Sequence, residues 1–419
     1  MIAMNLHWIK GLVLWYMHRG ARIRKYVEQN RRNQERIRRQ DSVVVVFFAS
    51  NVSMWRYQRL YEEMQKYPRF KPYIVISPLN AYSKEQKREC VKDLRHFFES
   101  RGIHYIDYDT NRMKGYDVKN LLKPDLLFYP QPYYTVMCKE HRYYQFNDSL
   151  LAYYPYGVSL RRERFCYDED FHNRAWRRYY ENEFTREDAR LMSTVGDVNV
   201  VIVGHPTADE FLVHRKDVWK VQEKRKKRLV WAPHFTINGD GWSQNTCFLW
   251  MADFMLDLAQ KYRDQIQLAF KPHPRLLSEL YKNVDWGREK ADAYYKKWKE
   301  MPNTQIECGE YMDLFMSSDA MIHDSGSFAA EYMYTGNPVM YVSKDMSHLY
   351  DVANGLGKIV YDAHYIADDI EKIERFVLDV LIAGDDPLKD ARKSVISFLT
   401  PSNGKTVAEN TMNDLLKEL

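Results

Sequence analysis

The sequence predicts an α/β protein built from two domains, each with a parallel sheet covered by helices. Residues 43–48 are continuously apolar and mostly β-branched, which is typical of a strand buried on both faces. Strand-like and helix-like stretches then alternate along the chain, as they do in doubly wound folds. With 419 residues, of which 45% are hydrophobic, the chain is long enough for two or three domains with their own cores.

Both halves of the chain alternate strands with helices. In the first half we predict strands at 43–48, 73–77, 103–108, 125–129 and 199–203, and helices near 55–66, 83–100 and 172–182. In the second half we predict strands at 229–232, 267–271, 320–323, 339–342 and 358–361, with helices near 245–262, 311–317, 327–334, 366–382 and 403–419. Ligands of such sheets bind just beyond the carboxyl ends of the strands, so the residues that follow each strand are the candidates for chemistry.

Charge divides the chain into four predicted segments. Residues 224–228 are five consecutive cations and mark a solvated boundary between the halves. We therefore predict a basic N-terminal arm at 1–40, an N-terminal α/β domain at 41–213, a C-terminal α/β domain at 214–400 and a closing helix at 401–419.

The N-terminal arm is strongly basic. Residues 1–40 hold ten Lys and Arg against two Glu, a net charge of +8, while the remainder of the chain carries −3. The apolar stretch within the first 17 residues is too short for a bilayer span. An aromatic-rich stretch followed by cations suits a helix that lies on an anionic membrane face. The alternatives are a basic helix packed on its own protein, or on a second subunit in a homo-oligomer; no motif for nucleic-acid recognition accompanies the charge.

Several classes of site are disfavoured. The five cysteines are far apart and form no C-x-x-C pair, so we predict neither a zinc site nor a disulfide framework, and a reducing cytosol fits best. The chain has no H-E-x-x-H or G-x-S-x-G motif, which argues against metalloproteases and α/β-hydrolases.

The strongest functional segment runs from residue 323 to residue 331, between a predicted strand and a helix. Its candidate phosphate-binding residues are His323, Asp324, Ser325, Gly326, Ser327 and Glu331. Main-chain N–H groups and hydroxyls at the start of a helix favour an anion such as a phosphate. The alternative is that Asp324 or Ser325 only caps the helix.

A second segment places three potential cations directly after a strand. Lys271, His273 and Arg275 alternate with two prolines, which stiffen the loop. Arg can bind a diphosphate through two hydrogen bonds, and His can donate a proton to a departing phosphate. We therefore predict a diphosphate site with His273 as a catalytic residue.

The remaining candidates follow other strands. His234 ends the sequence Trp-Ala-Pro-His after the first strand of the second half, and His205 follows the last strand of the first half. A turn and a helix cap explain much of the sequence around His205. Gln131, Tyr133 and Tyr156 follow apolar runs in the first half, in segments that by themselves are typical of turns.

Taken in order, these segments resemble the CDP-glycerol glycerophosphotransferase family, the teichoic-acid-type polyol phosphate primases and polymerases. The resemblance begins at residue 203 and covers about the last 220 residues. It is carried by a glycine-x-proline-x-x-aspartate element at 204–209, a strand ending in a proline motif at 229–234, a lysine-x-histidine-proline motif at 271–274, and the segments 311–313, 318–327 and 336–341. The last group is the most specific.

The resemblance implies a GT-B fold, with the nucleotide donor held by the C-terminal domain and the acceptor by the N-terminal domain. The candidates for acceptor binding are then Gln131, Tyr133 and Tyr156. It also implies membrane association, a catalytic role for His273, and donor phosphates held by Ser325 and Ser327. Many members carry a tryptophan-histidine-glycine-threonine element whose histidine is a proposed base, whereas this chain has Tyr-Pro-Tyr-Gly at 154–157. The chain therefore resembles a divergent branch, and either His205 or His234 is the candidate general base.

On this resemblance we predict an enzyme that transfers a polyol phosphate from a CDP-linked donor to a hydroxyl of a lipid-linked or growing cell-surface polysaccharide, releasing CMP. The alternatives are a GT-B glycosyltransferase that uses a nucleotide sugar, and a non-catalytic membrane scaffold. We expect no required cofactor, since cationic side chains can neutralise the phosphates, and leave a divalent metal open. The predicted location is the cytoplasm, peripheral on the inner face of the bacterial cell membrane.

Overall fold

The computed structural model describes residues 19–133, 136–213, 216–238 and 246–419. The chain forms two compact units. The first unit comprises the chain up to Tyr156, together with Glu163–Pro206 and Lys405–Leu419. The second unit comprises Gly157–Arg162 and Thr207–Gly404.

The first unit contains a six-stranded parallel sheet. Its strands are β1 (Val43–Ala49), β2 (Phe70–Ile76), β3 (Leu126–Tyr129), β4 (Leu150–Tyr153), β5 (Arg177–Tyr180) and β6 (Val200–Ile202), in the order β2-β1-β3-β4-β5-β6. Its helices are Arg19–Arg38, Gln58–Met64, Lys84–Glu99, Arg164–Tyr167, Asp170–Arg174, Glu183–Met192 and Val407–Glu418. All residues of β3 and β4 are buried, which explains their unbroken apolar sequences.

The second unit also contains a six-stranded parallel sheet. Its strands are β7 (Lys227–Ala232), β8 (Ile266–Phe270), β9 (Thr304–Ile306), β10 (Ala320–His323), β11 (Val339–Val342) and β12 (Tyr365–Ala367), in the order β12-β11-β10-β7-β8-β9. Its helices are Thr207–Phe211, Phe248–Lys261, Leu276–Lys282, Gly287–Glu300, Met312–Met316, Gly326–Glu331, Ser347–Val352, Gly355–Asp362, Ile370–Arg375 and Lys389–Leu399, with a π-helix at Phe376–Ile382. This strand order is the doubly wound one.

The described part of the basic arm is a helix, Arg19–Arg38, that packs on the first unit. Asn33 and Ile37 are buried, and Asn33 donates to the carbonyl oxygens of Asn147 and Ser149 at 3.0 and 3.2 Å. Arg36 forms an ion pair with Asp125 at 2.8 Å. For residues 19–38 the structure therefore agrees with the alternative of a basic helix packed on its own protein, and the aromatic stretch before it lies outside the described residues.

Three predicted elements are wrong. The stretch 358–361 belongs to the helix Gly355–Asp362, which the Asn354 side chain caps by accepting from the Gly357 N–H at 2.7 Å. In the stretch 172–182 the helix ends at Arg174 and β5 follows, where the predicted helix would continue; β5 buries Arg178, which donates to the Asn199 side chain at 2.7 Å. The stretch 103–108 contributes only one bridge residue, Ile106, beside β2.

The two units divide the chain differently from the predicted domains. The division falls after Pro206 rather than after residue 213, and Gly157–Arg162 belongs to the second unit. That short segment is held by Asn354, which donates to the Ser159 carbonyl at 2.9 Å, and by Gly357, where a Cβ would overlap the Leu160 carbonyl. The closing helix is part of the first unit, where the Asp414 carboxylate accepts from the Tyr179 hydroxyl at 2.8 Å.

Candidate functional site

The loops that follow β7 and β10 meet where the strand order of the second sheet reverses. From β7 the chain proceeds outward through β8 and β9 on one side, and from β10 through β11 and β12 on the other. Open α/β sheets bind their ligands in the crevice at this switch point. The His234 N–H, after β7, donates to the Asp324 carboxylate, after β10, at 2.6 Å. The two loops are therefore tied together at the switch point.

Asp324 holds the loops rather than pointing outward. Its carboxylate accepts a second hydrogen bond, at 2.8 Å, from the N–H of Cys247, the residue that precedes the helix Phe248–Lys261. Burial raises the pKa of Asp324 to about 6, against the lowering effect of these two backbone N–H groups. Because the carboxylate is turned toward backbone amides, it leaves the approach to the loops without an outward negative charge.

The loop after β8 supplies a buried cation. Lys271 is 4% exposed, and its Nζ donates to the carbonyl oxygen of Gly309 at 3.2 Å and lies 5.7 Å from the centre of the Tyr311 ring. Burial lowers the pKa of Lys271 to about 8, although Cys308 and Glu307 partly oppose the shift. A buried ammonium is unfavourable unless it is compensated, so an anion brought to this loop would stabilise it.

His273 is oriented by the loop that carries it. Its Nδ1 accepts the Arg275 N–H at 3.1 Å, so the proton of the neutral ring resides on Nε2, which is left as a donor. Burial, followed by the charges of His234, Arg275 and Lys271, lowers the pKa of His273 to about 3. In the free protein His273 is therefore a neutral hydrogen-bond donor.

His234 lies beside His273 and has a similar environment. The two ring centres are 5.2 Å apart, and the Nδ1 of His234 is 3.0 Å from the Thr236 hydroxyl. Burial and the Arg275 charge lower the pKa of His234 to about 4. Arg275 itself is exposed, with its guanidinium 4.1 Å from the centre of the Phe235 ring.

The segment after β10 begins the helix Gly326–Glu331. Ser325 precedes this helix without forming a side-chain capping bond, and Asp324 binds amides of other loops, so the capping alternative does not describe these side chains. Gly326 and Ser327 are exposed, whereas Glu331 is buried and accepts the Tyr311 hydroxyl. Since Tyr311 also lies beside Lys271, it connects this helix to the loop after β8.

The structure brings one group of predicted residues to a single sheet edge. The loops after β7, β8 and β10 in the second unit carry His234, Lys271, His273, Arg275 and the segment from His323 to Ser327. The ends of these strands are adjacent, because β7 pairs with both β8 and β10.

The other predicted residues belong to the first unit. His205 follows β6 and is 1% exposed. Gln131 follows β3 and is buried, while Tyr133 and Tyr156 are 36% and 39% exposed. The Tyr156 N–H donates to the Pro130 carbonyl oxygen at 3.2 Å, so the loops after β3 and β4 are neighbours.

Three further residues lie near the switch point, and two of them, His364 and Arg161, stand outside the sequence motifs. The Tyr341 hydroxyl donates to the carbonyl oxygen of Asp324 at 3.2 Å, and His364 contacts His323 at 3.2 Å. Arg161 pairs with Ala353 through a backbone bridge, and its charge opposes the upward shift that burial causes in the pKa of Tyr341. Arg161 lies far from the other segments in sequence, and no pattern around it indicates this placement.

Comparison with solved structures places this geometry in a known fold. UDP-GlcNAc 2-epimerase from Neisseria meningitidis bound to UDP-GlcNAc is 16% identical, over 90% of this chain and 100% of that chain, with a TM-score of 0.58. The S. aureus MnaA co-structure with UDP is 13% identical, over 91% and 98%, with a TM-score of 0.56. The chain has a GT-B-like fold. The predicted fold class, α/β with two Rossmann-like domains, is therefore confirmed.

The resemblance to teichoic-acid enzymes is also supported at the level of fold. A variant of the wall teichoic acid polymerase TagF soaked with CDPG is 13% identical, over 99% of this chain and 98% of that chain, with a TM-score of 0.54. No protein-family model matches the sequence, and no curated protein matches it. These solved structures show the fold of this chain.

The described residues contain neither a cluster of metal ligands nor a membrane-spanning helix. Within 19–133, 136–213, 216–238 and 246–419, no group of three or more His, Cys, Asp or Glu side chains is placed to hold a metal ion. Over the same ranges, no helix combines the length and the apolar character that crossing a membrane requires.

Proposed function

We propose that this protein transfers a polyol phosphate from a CDP-linked donor to a hydroxyl group of a lipid-linked or growing surface polysaccharide. The acceptor oxygen forms a bond to the β-phosphorus of the donor. The bond from that phosphorus to the bridging oxygen breaks, and CMP leaves with the electron pair. Negative charge grows on the departing phosphate, so cations and hydrogen-bond donors placed around it accelerate the reaction.

Residues at and beside the switch point have different roles in this reaction. Lys271 and Arg275 neutralise the diphosphate, and the Nε2–H of His273 donates to the oxygen that departs with CMP. The exposed Gly326 and Ser327 supply further donors to the phosphates. Asp324 keeps the loops in register through its bonds to His234 and Cys247.

The proton of the acceptor hydroxyl must pass to a base. When His234 donates its Nδ1–H to the Thr236 hydroxyl, 3.0 Å away, its Nε2 is left as an acceptor. His234 is therefore the base that the second unit can supply, and His205 is the alternative in the first unit. We assign acceptor binding to Gln131, Tyr133 and Tyr156.

One observation carries the proposal: a buried lysine, a histidine with a fixed donor and an arginine follow β8, beside the β7–β10 switch point. The test is to incubate the purified protein with CDP-glycerol, CDP-ribitol and a panel of nucleotide sugars, together with a polysaccharide acceptor. We expect CMP to be released from a CDP-alcohol only. Turnover of a nucleotide sugar without release of CMP from either CDP-alcohol would contradict the proposal.

A second candidate is an enzyme that acts on a nucleotide sugar. It is favoured by the similarity to the Neisseria meningitidis epimerase structure, which holds UDP-GlcNAc. The same panel separates the two, because this candidate predicts a reaction with the sugar donors. For the non-catalytic scaffold, His273→Ala and the unaltered chain would support polymer synthesis equally.

We further propose that the protein attaches to the inner face of the membrane through its basic arm. Arg24, Lys25, Arg31 and Arg32 are exposed along the helix Arg19–Arg38, although Arg31 is paired with Glu35 at 2.8 Å. Each cation near an anionic surface contributes about 1 kcal/mol.

The test of this attachment is flotation with phosphatidylglycerol vesicles. Substitution of Arg24 and Lys25 by Gln is expected to weaken the interaction roughly tenfold or more. Substitution of Lys282 and Arg288 by Gln, which removes the same charge from the second unit, serves as the control. Equal flotation of both variants would contradict the attachment. These point changes are preferable to deleting residues 1–40, because Asn33 and Ile37 are buried.

A further inference from the structure

A series of buried hydrogen bonds connects the helix Gly355–Asp362 to the loop after β10. The Nδ1 of His364 lies 2.7 Å from the carbonyl oxygen of Val360, and its Nε2 lies 3.2 Å from the Nε2 of His323. The Nδ1 of His323 then accepts the Ser325 N–H at 3.2 Å. His364, His323 and Ser325 are 3%, 1% and 6% exposed, so little water competes for these bonds.

The proton positions in this series of hydrogen bonds follow from the bond that His364 makes to the Val360 carbonyl oxygen. A carbonyl oxygen only accepts, so the Nδ1 of His364 must carry a proton, and its Nε2 is then an acceptor in the neutral ring. The Nε2 of His323 must therefore donate, which leaves the Nδ1 of His323 as an acceptor. The Ser325 carbonyl oxygen also lies 3.0 Å from that Nδ1. A bond to this oxygen would need the other tautomer of His323, which cannot donate to His364. The tautomer that keeps the His323–His364 hydrogen bond therefore has the Ser325 N–H as the partner of Nδ1.

This arrangement changes what Ser325 can do. Its N–H is occupied by His323 and does not face a ligand, unlike those of the exposed Gly326 and Ser327 that follow. Holding that N–H fixes the backbone of Ser325 at the point where the loop turns from Asp324 into the helix Gly326–Glu331. The adjoining carbonyl of Asp324 is held from the other side by the Tyr341 hydroxyl at 3.2 Å.

We infer that His364 is a positioning residue, which acts through His323 to set the anion-binding geometry of residues 324–327. This inference rests on the proposed function, because it assumes that this loop receives the donor diphosphate. His364 touches no reacting atom. The effect of removing it should therefore appear in the binding of an anion and in turnover, while the fold is retained.

Two isosteric substitutions separate this role from general packing. The amide oxygen of Gln lies where Nε2 of histidine lies, so His364→Gln keeps an acceptor for His323. The shorter Asn reproduces only the Nδ1 position, so His364→Asn keeps the bond to Val360 and loses the one to His323. Both variants replace the ring with an amide. Asn is the smaller residue, so a packing role would lower the thermal midpoint of His364→Asn below that of His364→Gln. A difference in pyrophosphate affinity at equal thermal midpoints is what a positioning role predicts.

The experiment titrates the intact protein and both variants with inorganic pyrophosphate at pH 7.5, and measures kcat and KM with CDP-glycerol. We expect His364→Asn to bind pyrophosphate and to turn over at least tenfold less well than the unaltered chain. We expect His364→Gln to remain within threefold of it, with the thermal midpoints of the two variants alike. Nitrogen NMR of His323 should show a protonated Nε2 and an unprotonated Nδ1 in the unaltered chain.

The outcomes of this experiment distinguish a failure of the inference from a failure of the proposed function. Equal pyrophosphate affinity in both variants, or a protonated Nδ1 on His323, would overturn the inference while CDP-glycerol turnover could still stand. If pyrophosphate binds with the expected ranking and no CDP-linked donor reacts, the proposed function fails and the inference holds. If the unaltered chain binds no pyrophosphate, the inference fails.

Discussion

The two units share a strand arrangement and differ at the carboxyl ends of their strands. Among the strands that the structure describes, none of the four residues after each of β1 to β6 is Lys or Arg. In the second unit, Lys271 directly follows β8, with Arg275 close behind it in the same loop. The first unit instead presents Gln131, Tyr133 and Tyr156.

This difference indicates two kinds of ligand for one kind of sheet. Cations and fixed N–H donors suit a diphosphate, whose charge they neutralise. Amide and phenol groups suit neutral hydroxyl groups, with which they exchange hydrogen bonds without charge. The fold alone does not determine the ligand; the loops at its strand ends do.

The largest expected effect comes from removing the charge of Lys271, the buried cation that directly follows β8 in the second unit. Lys271→Met keeps the length of the side chain and deletes its charge, and we expect turnover of CDP-glycerol to fall roughly 1,000-fold. The thermal midpoint should not fall, because the folded protein no longer buries an ammonium group. Steady-state kinetics and thermal unfolding measure the two effects.

The control for this variant is Lys282→Met, which removes an exposed lysine paired with Glu279 in the same unit. It should change turnover by less than twofold. If Lys271→Met retains near-normal turnover, the contrast between the two units has no functional meaning.

The next effect concerns the donor that the loop fixes on His273. We expect His273→Ala to lower kcat about 100-fold, since a hydrogen bond to the leaving phosphate is lost. His273→Gln should lose less, because its amide retains an N–H donor. The exposed His104 provides a matched control as His104→Gln, with unchanged kcat. Equal losses for Ala and Gln would mean that His273 does more than donate a hydrogen bond.

A smaller effect is expected from pH. Burial lowers the pKa of Lys271 to about 8, so this lysine loses its charge in the free protein as the pH rises through 8. A bound diphosphate favours the charged form, and binding above pH 8 therefore requires uptake of a proton. The affinity for CDP, whose charge is constant in this range, should fall about tenfold per pH unit above 8.

Calorimetric titration with CDP from pH 7.5 to 9.5 measures this dependence. Lys271→Met should show weaker binding with no such slope. If the affinity of Lys271→Met for CDP still fell with pH above 8, another group would be responsible for the titration and the prediction would be wrong.

The smallest effect belongs to the first unit. Tyr133→Phe and Tyr156→Phe each remove one hydroxyl, worth about 1 kcal/mol as a hydrogen bond. We expect KM for the acceptor to rise roughly fivefold, while the affinity for CDP stays constant. Tyr144→Phe, at another exposed tyrosine of the same unit, is the control. A change in CDP affinity with an unchanged acceptor KM would reverse the roles assigned to the two edges.

The sequence predicts those elements whose burial produces a simple pattern. Strands β1, β10 and β11 are fully or almost fully apolar runs, and their predicted bounds match the structure to within a residue. Strand β5 could not be predicted in this way, because it contains Arg177 and Arg178. The burial of the Arg178 guanidinium is compensated by hydrogen bonds to partners elsewhere in the sequence, the Asn199 side chain and the Tyr167 carbonyl oxygen.

The candidate site shows the same limit. Lys271, His273 and the segment after β10 stand in short motifs directly after strands, where local sequence is informative. His364 and Arg161 reach the same loops only through the packing of other segments, and no local pattern indicates them. Likewise, the pairing of Asp324 with the His234 N–H joins positions 90 residues apart.

The most direct test of the account is a crystal structure of the protein with CDP-glycerol bound. We expect the diphosphate beside Lys271 and the Nε2 of His273, with Ser327 within hydrogen-bond distance of a phosphate oxygen. A diphosphate seated at the strand ends of the first unit, with Lys271 still bound only to the Gly309 carbonyl, would contradict it.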